Sequence, residues 1–272
     1  MRKKGLFTMV ETVLTNVQVE KRIDGIAIVT LSRTEAANAL SKQMLHDLKT
    51  VANDLKNNSE VRVIILTGAG EKAFCAGADL KERKTMTENE VKQAVRLIGE
   101  TVNEVAALPQ PIIAALNGVA FGGGLELALA CDLRIGAIEA KVGLTETSLG
   151  IIPGAGGTQR LPRLIGLGKA KELIYSAKRL TAEEAEVLGI LEYVVPREQL
   201  LDKALEIATS MAKNAPLALV QAKAAINSGI EVDLNTGLKI EELAYNELLP
   251  TEDRLEGLRA FAEKRAPHYT GK

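Results

Sequence analysis

Apolar and polar positions change their period several times along the chain, and each change predicts an element. From Val13 to Leu31 two runs flank Asp24-Gly25, the second alternating as IAIVTL, which predicts a β-hairpin with its turn at that dipeptide. Beyond Ser41, a plausible N-cap, Leu45, Leu48, Ala52 and Leu55 recur at helical spacing and predict an amphipathic helix. VRVIILTG, from Val61 to Gly68, is a β-branched run of the kind buried on both faces of a parallel sheet. A glycine-rich loop, GAGEKAFCAGADLKER, leads into a short helix that ends near Arg83. Thr87 then stands before a longer helix whose face reads Val91, Val95, Ile98, Val102 and Val105. Pro109 and Pro111 stop it, and PIIAAL and LRIGA follow as two more buried strands on either side of NGVAFGGGLELALACD.

Strands separated by helices and glycine loops predict an α/β core with a parallel sheet and helical crossovers. After Glu146 the pattern becomes helical almost to Lys264, interrupted by PGAGGTQRLPRLIG and by LEYVV, a short strand near Leu191. The expected organisation is a core over residues 1–200 and an α-helical C-terminal part over residues 201–272. The start, MRKKGLFTMVETV, lacks the apolar segment of a signal peptide, and Met9 offers a second start, with the residues before it expected to be disordered. No run is long enough to span a membrane.

Composition adds exclusions. A net charge of −1 provides no basic field for nucleic acid. The two cysteines, Cys75 and Cys131, sit in apolar contexts without metal-ligand spacing, which suits a reducing, cytoplasmic setting. With only His46 and His268, and no G-x-S-x-G elbow, a Ser-His-Asp hydrolase is not expected. No metal-ligand cluster is evident. The third glycine of a dinucleotide fingerprint would fall at Leu127 or at Gln159, and Gly166-Leu167-Gly168-Lys169 lacks P-loop spacing.

Two backbone loops and two carboxylates remain. The peptides at Gly77-Ala78 and at Gly122 to Gly124 each follow a strand and open a helix, so their N–H groups can converge on an oxygen that gains negative charge. Glu126 lies inside the apolar helix that begins at the second loop, where a charged side chain needs a partner or a task. Glu146 follows the next strand, and the chain can return it beside Glu126. Paired carboxylates in a low-dielectric cleft separate their pKa values, so one donates a proton while the other accepts. Equally, Glu126 can reach back to solvent and Glu146 can serve a helix start at Thr145 or Thr147.

The stretches FCAGADLKER, NGVAFGGGLELALACDLR and GLTETSLGIIPGAGGTQRLPRLIG resemble the crotonase superfamily, and specifically its enoyl-CoA hydratases. The likeness extends from Asn38-Ala39-Leu40-Ser41 through the helical tail, which looks closest to the methylglutaconyl-CoA hydratase subgroup. It implies a crotonase-like α/β fold, a ββα superhelical core with a helical C-terminal part, assembled as a trimer or a pair of trimers. It implies Ala78 and Gly123 as the thioester oxyanion donors, and Glu126 and Glu146 as the pair flanking a water. It implies a CoA groove at Ala78, Asp79, Leu80, Lys81 and Gly123, with Lys264 and its neighbour Arg265 near the adenosine phosphate. The activity implied is hydration of a 2-trans-enoyl-CoA to a 3-hydroxyacyl-CoA, with 3-methylglutaconyl-CoA of leucine breakdown as one substrate and CoA as part of the substrate rather than a cofactor. A distal carboxylate would need a cation, and Lys81, Arg83 and Lys84 lie in the right region. A Δ3-Δ2-enoyl-CoA isomerase is the alternative of the same class. RNA binding, described for a member of the subgroup through lysines of an early helix, is not expected, because Lys49 and Lys56 are followed by Ser59 and Glu60.

Overall fold

The computed structural model describes residues 10–272, so the basic start and Met9 lie outside the described residues. Two sheets of different size organise the chain. The larger takes strands β1 (Val10–Val13), β2 (Val17–Lys21), β3 (Ile26–Leu31), β4 (Val63–Gly68), β6 (Ile112–Leu116), β8 (Leu133–Ala137) and β11 (Tyr193–Val195) in the order β1-β2-β3-β4-β6-β8-β11. The expected hairpin is β2 and β3, paired antiparallel around Asp24-Gly25, with β1 added on its outer edge. From β3 onward every pairing is parallel. Alternate residues of β4 serve opposite faces: Ile64 and Leu66 join one apolar core, Val63 and Ile65 the other. A strand used on both faces is apolar throughout, which is why VIILTG reads as a continuous run.

The smaller sheet, in the order β10-β9-β7-β5, is made of β5 (Ala73–Cys75), β7 (Val119–Phe121), β9 (Lys141–Gly143) and β10 (Leu180–Thr181). β5, β7 and β9 run parallel. Each has only two or three residues, too short for any hydrophobic period to register, and the sequence predicts none of them as a strand.

Helices α1 (Lys42–Lys56), α2 (Leu80–Arg83), α3 (Glu88–Ala106) and α4 (Gly123–Leu129) alternate with these strands. Ser41 accepts from Met44 N–H as the N-cap of α1, and Thr87 closes a reciprocal capping box with Glu90 on α3. α5 (Gly157–Ile165), α6 (Leu167–Ser176) and α7 (Ala182–Val187) follow. α8 (Leu200–Ala212) covers the second face of the large sheet, burying Leu200, Ala204, Ala208 and Ala212 against Ile26, Ile65 and Ile113. The helices beyond it, α9 (Pro216–Gly229), α10 (Leu234–Asn246) and α11 (Glu252–Glu263), add only Ala260 to the buried apolar set. α9 is tied to the core by Lys223, whose ammonium donates to Asp132 Oδ2 at 2.8 Å and to the Gln110 carbonyl at 2.9 Å.

Candidate active site

The three parallel strands of the small sheet end at one cavity of about 770 Å³. β5 runs into Gly77-Ala78, β7 into Gly122-Gly123, and β9 into Thr145-Glu146, and all six residues line it. Ligands meet α/β sheets at the carboxyl ends of parallel strands, where loops replace the ladder.

The loops aim their amides by simple geometry. Leu40 N–H donates to the Gly77 carbonyl at 2.8 Å, and Asp79 N–H donates to the Leu40 carbonyl at 3.3 Å. In a trans peptide the C=O and N–H point in opposite directions, so fixing Gly77 O turns Ala78 N–H away from Leu40. Gly123 N–H is the first of α4 and lies beyond the reach of the helical ladder. Among the described residues neither amide has a backbone or side-chain acceptor. The two loops abut, since a Cβ placed on Gly77 would stand 3.3 Å from Gly123 N. Gly122 adopts φ 51° and ψ −124°, a conformation open to glycine alone. Gly124 packs so tightly on β5 that a Cβ there would lie 2.0 Å from the Cys75 carbonyl oxygen.

Glu126 and Glu146 border this same cavity. Glu126 is 3% exposed, and its Oε1 accepts from Ala155 N–H at 2.7 Å and Gly157 N–H at 2.8 Å, the latter opening α5. Burial pushes its carboxyl above the ordinary value, while those two N–H groups and the charges of Arg160 and Arg83 pull it back. Glu146 begins a 3-10 turn over Glu146–Leu149, where the preceding Thr145 makes no side-chain cap. Its Oε2 is buried without a hydrogen-bond partner, and its Oε1 faces the Gly122 loop, 3.1 Å from where a Cβ on Gly122 would be. Burial, and then the negative charge of Glu126, push the Glu146 carboxyl up to about 7. One carboxylate is thus held by a pair of amides and the other is not. Glu126 does not reach back to solvent but holds the first N–H of α5, and Glu146 is buried at the cavity rather than turned to the surface.

The remaining sequence candidates divide. Leu80 lines the cavity together with Ala78 and Gly123. Asp79 is turned inward: its Oδ1 caps α2 by accepting from Lys81 and Glu82 N–H, and its Oδ2 takes Arg33 at 2.6 Å. Burial opposes its charge, but Arg33 and the two amides prevail and hold it below the usual value. Of the three cations on this segment, Arg83 lines the cavity; Lys81 and Lys84 do not. Lys264 ends α11 with φ 55° and is not among the residues lining the cavity, and Arg265 is paired with Glu256 at 2.6 Å. No motif or period marks Arg179, which lines the cavity and stacks 4.9 Å over the Phe121 ring. Nor did it single out the amides of Ala155 and Gly157, because their role lies in the backbone.

Lys49, on the early helix, donates to Glu104 at 2.9 Å. Cys75 and Cys131 are free, and burial pushes both thiols up to about 12, which leaves them unreactive. Among the described residues, no cluster of three His, Cys, Asp or Glu could hold a metal ion, and no helix is long and apolar enough to cross a membrane.

The model of the Enoyl-CoA hydratase/isomerase family matches residues 21–272. The Bacillus subtilis protein YngF, assigned only as far as hydratase/isomerase, is 57% identical over 246 residues, covering 90% of this chain and 95% of its own. The human mitochondrial methylglutaconyl-CoA hydratase is 49% identical over 257 residues, covering 93% and 76%. Among solved structures, an enoyl-CoA hydratase from Bacillus anthracis superposes with a TM-score of 0.91 at 53% identity, over 97% of this chain and 99% of that one.

Proposed function

The chain belongs to the enoyl-CoA hydratase/isomerase family of the crotonase superfamily, and from that premise we propose that it is a hydratase, adding water to a 2-trans-enoyl-CoA to give a 3-hydroxyacyl-CoA. The observation that carries this reading is the pair of carboxyl groups with unlike environments beside two free main-chain donors. The thioester oxygen accepts from Ala78 and Gly123 N–H, which stabilise the enolate as charge builds on it. Glu126, locked through Oε1, accepts a proton from water through its other oxygen as the water oxygen bonds to the β-carbon. Glu146, protonated, donates to the α-carbon. One water is consumed, and proton exchange between the carboxyl groups and solvent restores the starting state. Ala78, Leu80 and Gly123 line the inner end of the CoA groove in this reading. Lys264 reaches an adenosine phosphate only across a contact with a second copy. The exposed Ile226, Ile230, Leu243 and Phe261 of the C-terminal helices support such an assembly, a trimer or pair of trimers, which light scattering tests. The free, buried thiols support a cytoplasmic setting.

The substrate reading extends to branched dicarboxylic acyl groups such as 3-methylglutaconyl-CoA, in leucine breakdown. Arg83 supports it: the guanidinium is half-buried at the cavity and close enough to act on both glutamates. The test is loss of enoyl-thioester absorbance with crotonyl-CoA and 3-methylglutaconyl-CoA, on wild type, Glu126→Gln and Glu146→Gln. Hydration abolished in both variants is the expected result. Movement of a 3-enoyl double bond without hydration, or one variant remaining fully active, selects the isomerase instead.

A further inference from the structure

The loop that grips Glu126 is itself held by a side chain outside the cavity. The Ala155 and Gly157 N–H groups that meet Glu126 Oε1 belong to the peptides on either side of the Ala155-Gly156 peptide. The carbonyl of that middle peptide accepts from Arg160 Nη1 at 3.0 Å. The same guanidinium donates through Nη2 to Asn103 Oδ1 on α3 at 2.7 Å. Since α3 is anchored in the main core by Ile98, Val102 and Val105, the loop is tied to a fixed element. Gly156 makes room for the bridge: its φ is 103°, and a Cβ there would collide with Arg160 Nη1. Arg160 is not among the residues lining the catalytic cavity; it borders an outer groove where Arg163 and Glu231 pair at 3.2 Å. Its charge nonetheless acts on Glu126, as does that of Arg83 from α2, while Glu146 sets a negative charge nearby. From α3 and β5, also packed on α4, come the neutral Asn103 and Cys75.

We propose that Arg160 is a positioning residue for the hydration: by bridging the Ala155-Gly156 peptide to Asn103 it holds two amides on Glu126 Oε1 and sets a positive charge near the carboxylate that takes a proton from water. The proposal rests on the reading of Glu126 as the base. Removing the guanidinium acts in two ways. The middle peptide loses its donor, so the flanking amides are free to drift from Oε1, and a misplacement of about 1 Å can cost roughly 10²-fold in rate. The burial of Glu126 is also less opposed, so its carboxyl keeps a proton to higher pH.

Crotonyl-CoA hydration across pH, with a carboxyl-carbon NMR titration of Glu126 in the same full-length samples, tests this; loss of the signal in Glu126→Gln assigns it. Arg160→Met keeps the bulk of the side chain and removes its charge and donors. It is expected to lower kcat roughly 10–100-fold with little change in KM. The acidic limb of kcat/KM and the Glu126 titration are both expected to move to higher pH. Arg160→Lys, which restores the charge, is expected to return the limb to its wild-type position and to recover part of the rate. A folded Arg160→Met whose limb and titration stay in place overturns the proposal, even if its rate falls, because a merely structural side chain would behave so. Should Arg160→Met not fold, the exposed Asn103→Ala decides: a loss of kcat at constant KM supports the bridge, and a wild-type kcat overturns it. Wild type that hydrates no enoyl-CoA, while Arg160→Met still shifts the titration, removes the hydratase reading and keeps the hold on Glu126.

Discussion

The large sheet and the small sheet divide the labour of this molecule. The large one has strands of up to six residues, buried on both faces by residues such as Val63, Ile65 and Ile113, and none of its strands ends at a catalytic candidate. The small one has strands of three residues or fewer, yet β5, β7 and β9 deliver both amides and Glu146, while Glu126 rides on the helix that β7 feeds. The main core and the candidate site are therefore carried by different ladders, and substitutions can separate them.

The largest effect is expected at the small sheet. Glu126→Gln and Glu146→Gln should each lower the hydration rate by roughly 10²–10⁴, with thermal melts no lower than wild type because a neutral isostere is easier to bury. A melt that collapses along with the rate would dissolve the distinction between the sheets. The pH dependence of stability sharpens it. Folding raises the Glu146 carboxyl from an ordinary 4.5 to about 7, so the folded state retains a proton that the unfolded chain has released. Its contribution is fully present below the unfolded value and is lost as pH rises through the folded one. Denaturant titrations of Glu146→Gln should show a flatter pH profile across that window, and wild-type activity should fall as pH climbs beyond it.

Next comes the large sheet. Ile65 is fully buried, and Ile65→Ala should cost about 2–5 kcal/mol in urea unfolding, with turnover per folded molecule unchanged. Loss of turnover in the cold, where the variant stays folded, would contradict the separation. Smaller still is Arg83→Leu, expected to raise KM for 3-methylglutaconyl-CoA by roughly ten-fold and to leave crotonyl-CoA nearly untouched. An equal effect on both would move Arg83 from acyl recognition to general electrostatics. At the bottom, Arg96→Ala breaks an exposed pair on α3 and should change stability by less than about 0.5 kcal/mol.

The large sheet was legible in sequence because burial on both faces demands unbroken β-branched runs, and VIILTG or IIAAL cannot be mistaken. α1 and α3 were legible from their caps and periods. The small sheet was not, since two or three residues carry no period, and its strands are fixed by long-range pairing alone. The site was half legible. Glu126 stood out as a carboxylate in an apolar helix, and the loops stood out by their glycines. The side-chain directions of Arg83, Lys81 and Lys84 depend on how a four-residue helix is rotated, which Asp79 and Arg33 decide from elsewhere. Arg179 comes from the segment just before β10, nearly sixty residues beyond Phe121, and carries no local mark.

The bond from Leu40 to the Gly77 carbonyl has a consequence for how this enzyme tolerates change. The donor it aims is main chain, so the group proposed to face the thioester oxygen is encoded by the path of the loop rather than by any letter of the sequence. Truncating side chains one at a time will register only displacement of that path, never removal of the donor. Atomic editing reaches it: replacing the Gly77-Ala78 amide by an ester deletes a single N–H while every side chain stays in place.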